Sequence, residues 1–214
     1  MSAPRHHPDA ELLLDYATGA GSSVYSLVIW THLRACAECR SAVAAAQSVG
    51  GLLLDESPPA KLGEDALSVA LARIERPVPA LPIKTRAQPR PDWIEVPQGV
   101  LTAAQRRRWA APGVWVAPVS RNASGQGSYL LRVAPGMGVP RHTHRGSEMV
   151  CVLKGAFDDR GENYGPGDFA CSDETVEHRP VAVHDTECIC LIAADHRLVA
   201  RDWVGRLFQP FVRI

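Results

Sequence analysis

Between residues 76 and 92 the chain reads RPVPALPIKTRAQPRPD, five prolines in 17 positions. Each proline removes a backbone donor and pushes the preceding residue out of helical geometry, so neither a helix nor a central strand runs through. The stretch is read as a semi-extended linker. It predicts a unit over 1–75, a linker over 76–92 and a second unit over 93–214.

The two sides follow different periodicities. Before the linker, Pro8, Asp9 and Glu11 suit a first helical turn. Leu12, Leu13, Tyr16 and Ala17 then share a helix face, and Gly19 and Gly21 close it. A second helix is expected from Ser22 and Ser23 to about Cys36. The alanine-rich AECRSAVAAAQSVGGLLL predicts a third. LGEDALSVALARIE, 62–75, predicts a fourth with Leu67, Leu71 and Ile74 aligned. After the linker, VWVAPV, SYLLRV, EMVCVLKG and TECICLIA are short β-rich runs between turn residues, spaced as in a sandwich or barrel. The expected fold class is therefore α+β with two domains, one all-α and one all-β.

Charge and cysteine usage narrow the function. Residues 1–75 hold 5 Lys+Arg against 9 Asp+Glu, a net of −4, and residues 76–214 hold 18 against 14, a net of +4. An acidic front half disfavours direct nucleic-acid contact, because phosphates need positive charge. A basic protein partner suits it better. The N-terminus lacks a signal-peptide apolar stretch, and VYSLVIW is too short to span a bilayer. A cytoplasmic protein without a membrane segment is expected. In that reducing compartment six cysteines read as metal ligands or redox groups rather than as a disulfide framework.

HLRACAEC, residues 32–39, places His32, Cys36 and Cys39 within eight positions. At about 100° per residue they fall on one face of an unbroken helix. A break near Cys36 would instead bring Cys39 in from the next helix. Either way three soft ligands meet, and His6 or His7 supplies a fourth for a closed, structural His₂Cys₂ zinc site. Zinc binding there becomes folding energy for a small module.

A second set lies in GMGVPRHTHRGSEMVCVLKG. His142 and His144 are two apart and share a strand face. Glu148 follows across a turn at Gly146, and His178 comes after a tight turn built on Gly165, Gly167 and Asp168. Three imidazoles and a carboxylate suit Zn²⁺, Fe²⁺, Mn²⁺ or Ni²⁺. The pattern Gly136-x₅-His142-x-His144-x₃-Glu148-x₆-Gly155 resembles the first cupin motif at every defined position. The second motif departs from the pattern, with a long gap before His178 and Ala182 where asparagine is usual. The resemblance implies a double-stranded β-helix, or jelly-roll barrel, beyond the linker.

RHHPDAELLLDYATGAGSSVYSLVIWTHLRACAECR resembles the zinc-binding anti-sigma factors, the ChrR-type members in particular, and LFQPFVRI resembles their C-terminus. The resemblance covers nearly the whole chain. It implies that His7 rather than His6 is the fourth ligand and that the helical module grips an extracytoplasmic-function sigma factor. It also implies that the cupin, holding zinc or another divalent metal, senses an oxidant such as singlet oxygen or an organic hydroperoxide and causes release. The protein would then be a regulator and not an enzyme. Leu27, Val28, Ile29 and Trp30 are consecutive and cover more than one helix face, so part of helix two is expected to be exposed for the partner.

The main alternative is a cupin dioxygenase or isomerase with an N-terminal interaction module. A zinc-finger-like DNA binder is opposed by the −4 charge of the helical half. Cys188 and Cys190 share a strand face; core packing is expected of them, though either could be oxidised, and adjacent same-strand thiols are badly placed for a mutual disulfide. Cys151 and Cys171 are expected in the core, and Arg106–Arg108 on a solvated face.

Overall fold

The computed structural model describes residues 3–76 and 92–196 and the backbone of 199–200. Most of the linker, 77–91, and the C-terminal 207–214 resemblance lie outside the described residues.

Four helices precede the linker: α1 (Ala10–Thr18), α2 (Ser23–Ala35), α3 (Ala37–Asp55) and α4 (Ala66–Glu75). Their ends are set by local chemistry. The Asp9 carboxylate accepts from Leu12 N at 2.8 Å, occupying an otherwise orphaned donor of α1. Gly19 ends α1 at φ 73°, a left-handed conformation that side chains with a Cβ resist. Cys36 is extended, at φ −106° and ψ 111°, and so is both the end of α2 and the cap of α3, with its sulfur accepting from Cys39 N. This is the break expected between the two cysteines.

Beyond the linker a short helix, α5 (Gln98–Ala104), precedes the strands. The local sequence signal for a helix here is weak; it forms because Val100, Leu101 and Ala103 are buried. The strands are β1 (Arg108–Ala111), β2 (Val114–Arg121), β3 (Gly127–Val133), β4 (His142–Thr143), β5 (Glu148–Lys154) and β6 (Phe157–Asp159). They continue as β7 (Glu162–Tyr164), β8 (Phe169–Ser172), β9 (Glu177–His178), β10 (Val181–Ala182), β11 (Cys188–Ala194) and β12 (Val199–Ala200). All pair antiparallel, as a six-stranded sheet β1-β2-β3-β11-β5-β8 and two three-stranded sheets, β10-β6-β7 and β12-β4-β9.

Strand β11 explains how the halves join. Every residue of CICLIAA is buried, the unbroken apolar run of a strand covered on both faces. Cys188, Cys190 and Ile192 point into the barrel with Val116, Tyr129, Val133 and Phe157. Ile189, Leu191 and Ala193 point outward into a second core with Leu130, Leu153 and Phe169, and that core contains Leu13, Val24, Val28, Ile29, Leu33 and Val43 of the helices. The helical part and the barrel therefore share one continuous core. α2 lies across β3, β11 and β5, and α1 packs on α3.

Two expectations are corrected by this packing. Val28 and Ile29, at 0% and 3% exposure, are covered by the sheet and not available to a partner, while Leu27 and Trp30 are half-buried. Cys171 is exposed because β8 is an edge strand; Cys151 is buried as expected. Among the described residues no single helix is long and apolar enough to cross a membrane.

Leu191 is fully buried at the seam between sheet and helices. Leu191→Ala should cost about 2–5 kcal/mol, the usual range for emptying such a site. In denaturant, the helical far-ultraviolet signal and the aromatic signals of the barrel should shift together. Separate transitions would show two independent cores.

Candidate metal centres

The first cluster forms where the N-terminal segment crosses the α2–α3 junction. His32 is the last-turn histidine of α2, Cys36 is the break, and Cys39 lies in the first turn of α3. His7 approaches from the segment ahead of α1. One donor atom from each of the four lies within 4.8 Å of every other. His32 Nε2 is 3.3 Å from Cys39 Sγ, and His7 Nδ1 is 3.4 Å from both Cys36 Sγ and Cys39 Sγ. Zn–N and Zn–S bonds of about 2.0 and 2.3 Å in a tetrahedron put nitrogen and sulfur about 3.5 Å apart, so the donors present fit zinc. His6 points away from this cluster, stacking on Tyr164 with ring centroids 4.2 Å apart.

The ring of His32 is fully buried and its other nitrogen, Nδ1, meets Gly167 O at 2.7 Å. A carbonyl can only accept, so the proton is on Nδ1 and the Nε2 lone pair faces the thiols. Burial pushes the His32 pKa down. Burial, followed by the neighbouring Cys36 thiol, pushes Cys39 up to about 12.

The second cluster lies inside the barrel. β4 and β9 pair His142 directly opposite His178. His144 follows β4, and Glu148 begins β5. All four are buried, and their donor atoms again fall within 4.8 Å of one another. His178 Nε2 is 3.0 Å from both His142 Nε2 and His144 Nε2, and His144 Nε2 is 3.5 Å from a Glu148 carboxylate oxygen. Outer partners orient the rings: His142 Nδ1 meets Pro140 O at 2.8 Å, and His178 Nδ1 meets the Asp159 carboxylate at 2.7 Å. Tyr129 OH donates to Glu148 Oε1 at 3.1 Å.

Burial, then the neighbouring His178 imidazole, lowers His142 to about 3 and His144 to about 4. Burial raises Glu148 to about 7 against the opposing influence of His178. The low pKa values keep His142 and His144 neutral, and Pro140 O holds the His142 proton on Nδ1, so its Nε2 lone pair faces a pocket of three ring nitrogens and a carboxylate that a cation can occupy. The donor chemistry thus fits a divalent metal, with nitrogen and oxygen ligands suiting Zn²⁺, Fe²⁺, Mn²⁺ or Ni²⁺.

Both predicted quartets are therefore brought together, with His7 in the first and His6 outside it. Asp159 and Tyr129 escape sequence reading, since neither lies in a motif and each acts only through a ligand. The turn at Gly165–Asp168 forms as expected, with Gly165 N donating to Asp168 Oδ2 at 2.7 Å. The buried sulfurs of Cys188 and Cys190 are 3.6 Å apart.

Residues 92–197 match the family model of the ChrR cupin-like domain. The anti-sigma-E factor ChrR of Cereibacter sphaeroides is 38% identical over 98% of this chain and 99% of its own length. The chain belongs to the ChrR family of anti-sigma factors. A crystal structure of Rhodobacter sphaeroides SigE in complex with the anti-sigma ChrR matches with a TM-score of 0.74 at 34% identity, covering 90% of this chain and 99% of that one. The ChrR likeness thus spans the helical part and the barrel together, and it makes the protein a regulator and not an enzyme.

Asp159→Asn should reduce the cupin's metal affinity by about 10–100-fold, the usual effect of losing a ligand's orienting carboxylate. Chelator competition should register the loss while the cysteine-containing site keeps its affinity. A second prediction concerns acid stability. Burial raises the Asp168 pKa, but backbone N–H groups of Gly165, His6 and Arg5 outweigh it and hold the group below the ordinary 3.8. The native carboxylate releases its proton more readily than the unfolded one. Its contribution is complete above pH 3.8 and is lost as pH falls from there through the native pKa. Asp168→Asn should flatten that acid limb in pH-dependent unfolding.

Proposed function

We propose that this chain is an anti-sigma factor that sequesters an extracytoplasmic-function sigma factor through α3 and α4. The observation that carries the reading is an apolar surface that no described residue covers. Leu52, Leu53 and Leu54 end α3 in the open, and Leu67, Val69, Leu71 and Ile74 stand exposed on α4, which buries no residue of its own. Leu62 reaches 82% exposure and Ile74 79%. Single exposed leucines need no explanation, but a run of this length marks a protein-binding surface. Asp55, Glu56, Glu64, Asp65 and Glu75 flank it, so the matching partner surface is apolar with a basic rim. A ChrR relative caught in complex with SigE supports assigning that role to this chain.

In this reading residues 1–75 form the gripping module, 76–92 the linker and 93–214 the sensor. His7, His32, Cys36 and Cys39 would hold a structural zinc, whose chemistry is to tie the N-terminal segment to the α2–α3 junction. His142, His144, Glu148 and His178 would hold zinc or another divalent metal, a Lewis acid inside the barrel. The protein acts in the cytoplasm, where sigma factors meet RNA polymerase. The signal is oxidative, of the singlet-oxygen or organic-hydroperoxide kind. Release requires a state of lower affinity for sigma, and a hundredfold swing each way takes about 5.5 kcal/mol of difference between the two states.

The full chain should copurify with the partner sigma factor from the same genome. Leu67→Asp combined with Leu71→Asp should weaken that complex by at least about 100-fold, roughly 2.7 kcal/mol, as for loss of an interface hot spot. Because both side chains are exposed, the variant's own melting temperature should hold. A wild-type chain that leaves the sigma factor behind would end this reading.

A further inference from the structure

The N-terminal cluster is supported by both halves of the protein. Its cysteines are placed by the α2–α3 junction, whereas its histidines, one on α2 and one ahead of α1, are oriented by contacts with the barrel. His32 is held through Nδ1 by the carbonyl of Gly167 at 2.7 Å, in the turn between β7 and β8. Without that acceptor the ring would carry a fully buried, unsatisfied N–H and would lose its reason to present Nε2 to the thiols. His7 is placed by the two residues ahead of it. Arg5 N and His6 N both donate to Asp168 Oδ1, at 2.6 and 3.0 Å, and Phe169 N donates to His6 O at 3.0 Å. The segment is thus tied to the start of β8 by one backbone hydrogen bond and to the turn before it by the Asp168 carboxylate, and the residue after it is a candidate ligand.

Gly167 itself closes the contact. At φ +93°, a Cβ there would lie 2.8 Å from Pro4 Cγ and 2.9 Å from Ala35 Cβ. The N-terminal segment and the end of α2 therefore converge on one glycine.

The hairpin that leads into this turn also serves the barrel's cluster. Asp159, on β6, orients His178. Across the hairpin, Asn163 O accepts from Arg5 at 2.7 Å, Glu162 faces His6 at 3.5 Å, and Tyr164 stacks on His6. One element thus touches the supports of both clusters.

We propose that the Gly165–Asp168 turn is the outer half of the N-terminal zinc site, so that zinc affinity there and docking of the N-terminal segment on the barrel are one coupled equilibrium. This rests on the reading of His7, His32, Cys36 and Cys39 as zinc ligands. A turn that moves away releases both imidazoles at once, and zinc that leaves loosens the segment from β8. The coupling is reciprocal by thermodynamic necessity.

Cobalt(II) tests this in the full-length chain, because thiolate-to-cobalt absorption in the near ultraviolet reports only a site that contains cysteine. Apoprotein is titrated with Co²⁺, and the bound cobalt is then displaced by Zn²⁺. Asp168→Ala and, separately, Gly167→Ala should each lower affinity at the thiolate site by about 10–100-fold, the usual effect of losing outer support for a ligand. Wild-type affinity in both variants, with the native circular dichroism spectrum intact, would overturn the proposal. Should either variant fold poorly, hydrogen exchange on the wild type answers the same question. Zinc loading should protect the Phe169 amide, and unchanged exchange would overturn the proposal. A wild-type protein without thiolate-to-cobalt absorption would instead refute the zinc-site reading itself.

Discussion

The rest of the structure depends on the burial of α2 across the outer face of β3, β11 and β5. That contact turns Val28, Ile29 and Leu33 inward against Leu130, Leu191 and Phe169 and merges the helical part with the barrel. It also sets the end of α2 over the β7–β8 turn, where His32 reaches Gly167 O. Apolar burial is non-directional and could be satisfied by several placements of a helix on a sheet. The directional bonds at Gly167 and Asp168 select one. The core supplies the free energy of docking and the polar contacts supply its register.

The division of labour among the helices follows from the same packing. α1 and α2 spend their apolar faces inside the molecule. α4 has no fully buried residue, and Leu52, Leu53 and Leu54 at the end of α3 are exposed. A helix of ten residues is marginal in isolation, and exposure of Leu67, Leu71 and Ile74 is unfavourable until something covers them. Among the described residues this apolar surface is left open, which is what the proposed sigma-binding role asks of it. The α2 face that appears spare in the sequence is spent within the fold.

The two candidate metal clusters differ in how they are supported. In the barrel, His142 and His178 are paired across β4 and β9 and braced by Pro140 O and Asp159. In the N-terminal cluster all four ligand candidates precede the linker, but the imidazole of His32 and the segment that carries His7 are held by hydrogen bonds to the β7–β8 turn of the barrel. Loss of registry there removes the outer support of the imidazoles and leaves the thiols on the α2–α3 junction, whereas the barrel's own cluster is braced from within the barrel. The β6–β7 hairpin, with Asp159 on one strand and Glu162–Tyr164 on the other, touches the supports of both.

Much of this was legible in the sequence because it depends on neighbours along the chain. Asp9 and Gly19 bound α1, Cys36 breaks the helix, and His142, His144 and Glu148 follow strand and turn spacing that brings them to one place. The linker's prolines and the change of periodicity separate helices from strands without reference to any contact. Only the tertiary structure decided that the halves share a core, that Val28 and Ile29 are buried and Cys171 exposed, and that Asp159 and Gly167 orient ligands from elsewhere in the chain. Those outcomes rest on contacts between residues far apart in sequence: His32 and Gly167 are 135 positions apart. Local propensity and spacing carry no information about which of many apolar surfaces a given helix will cover.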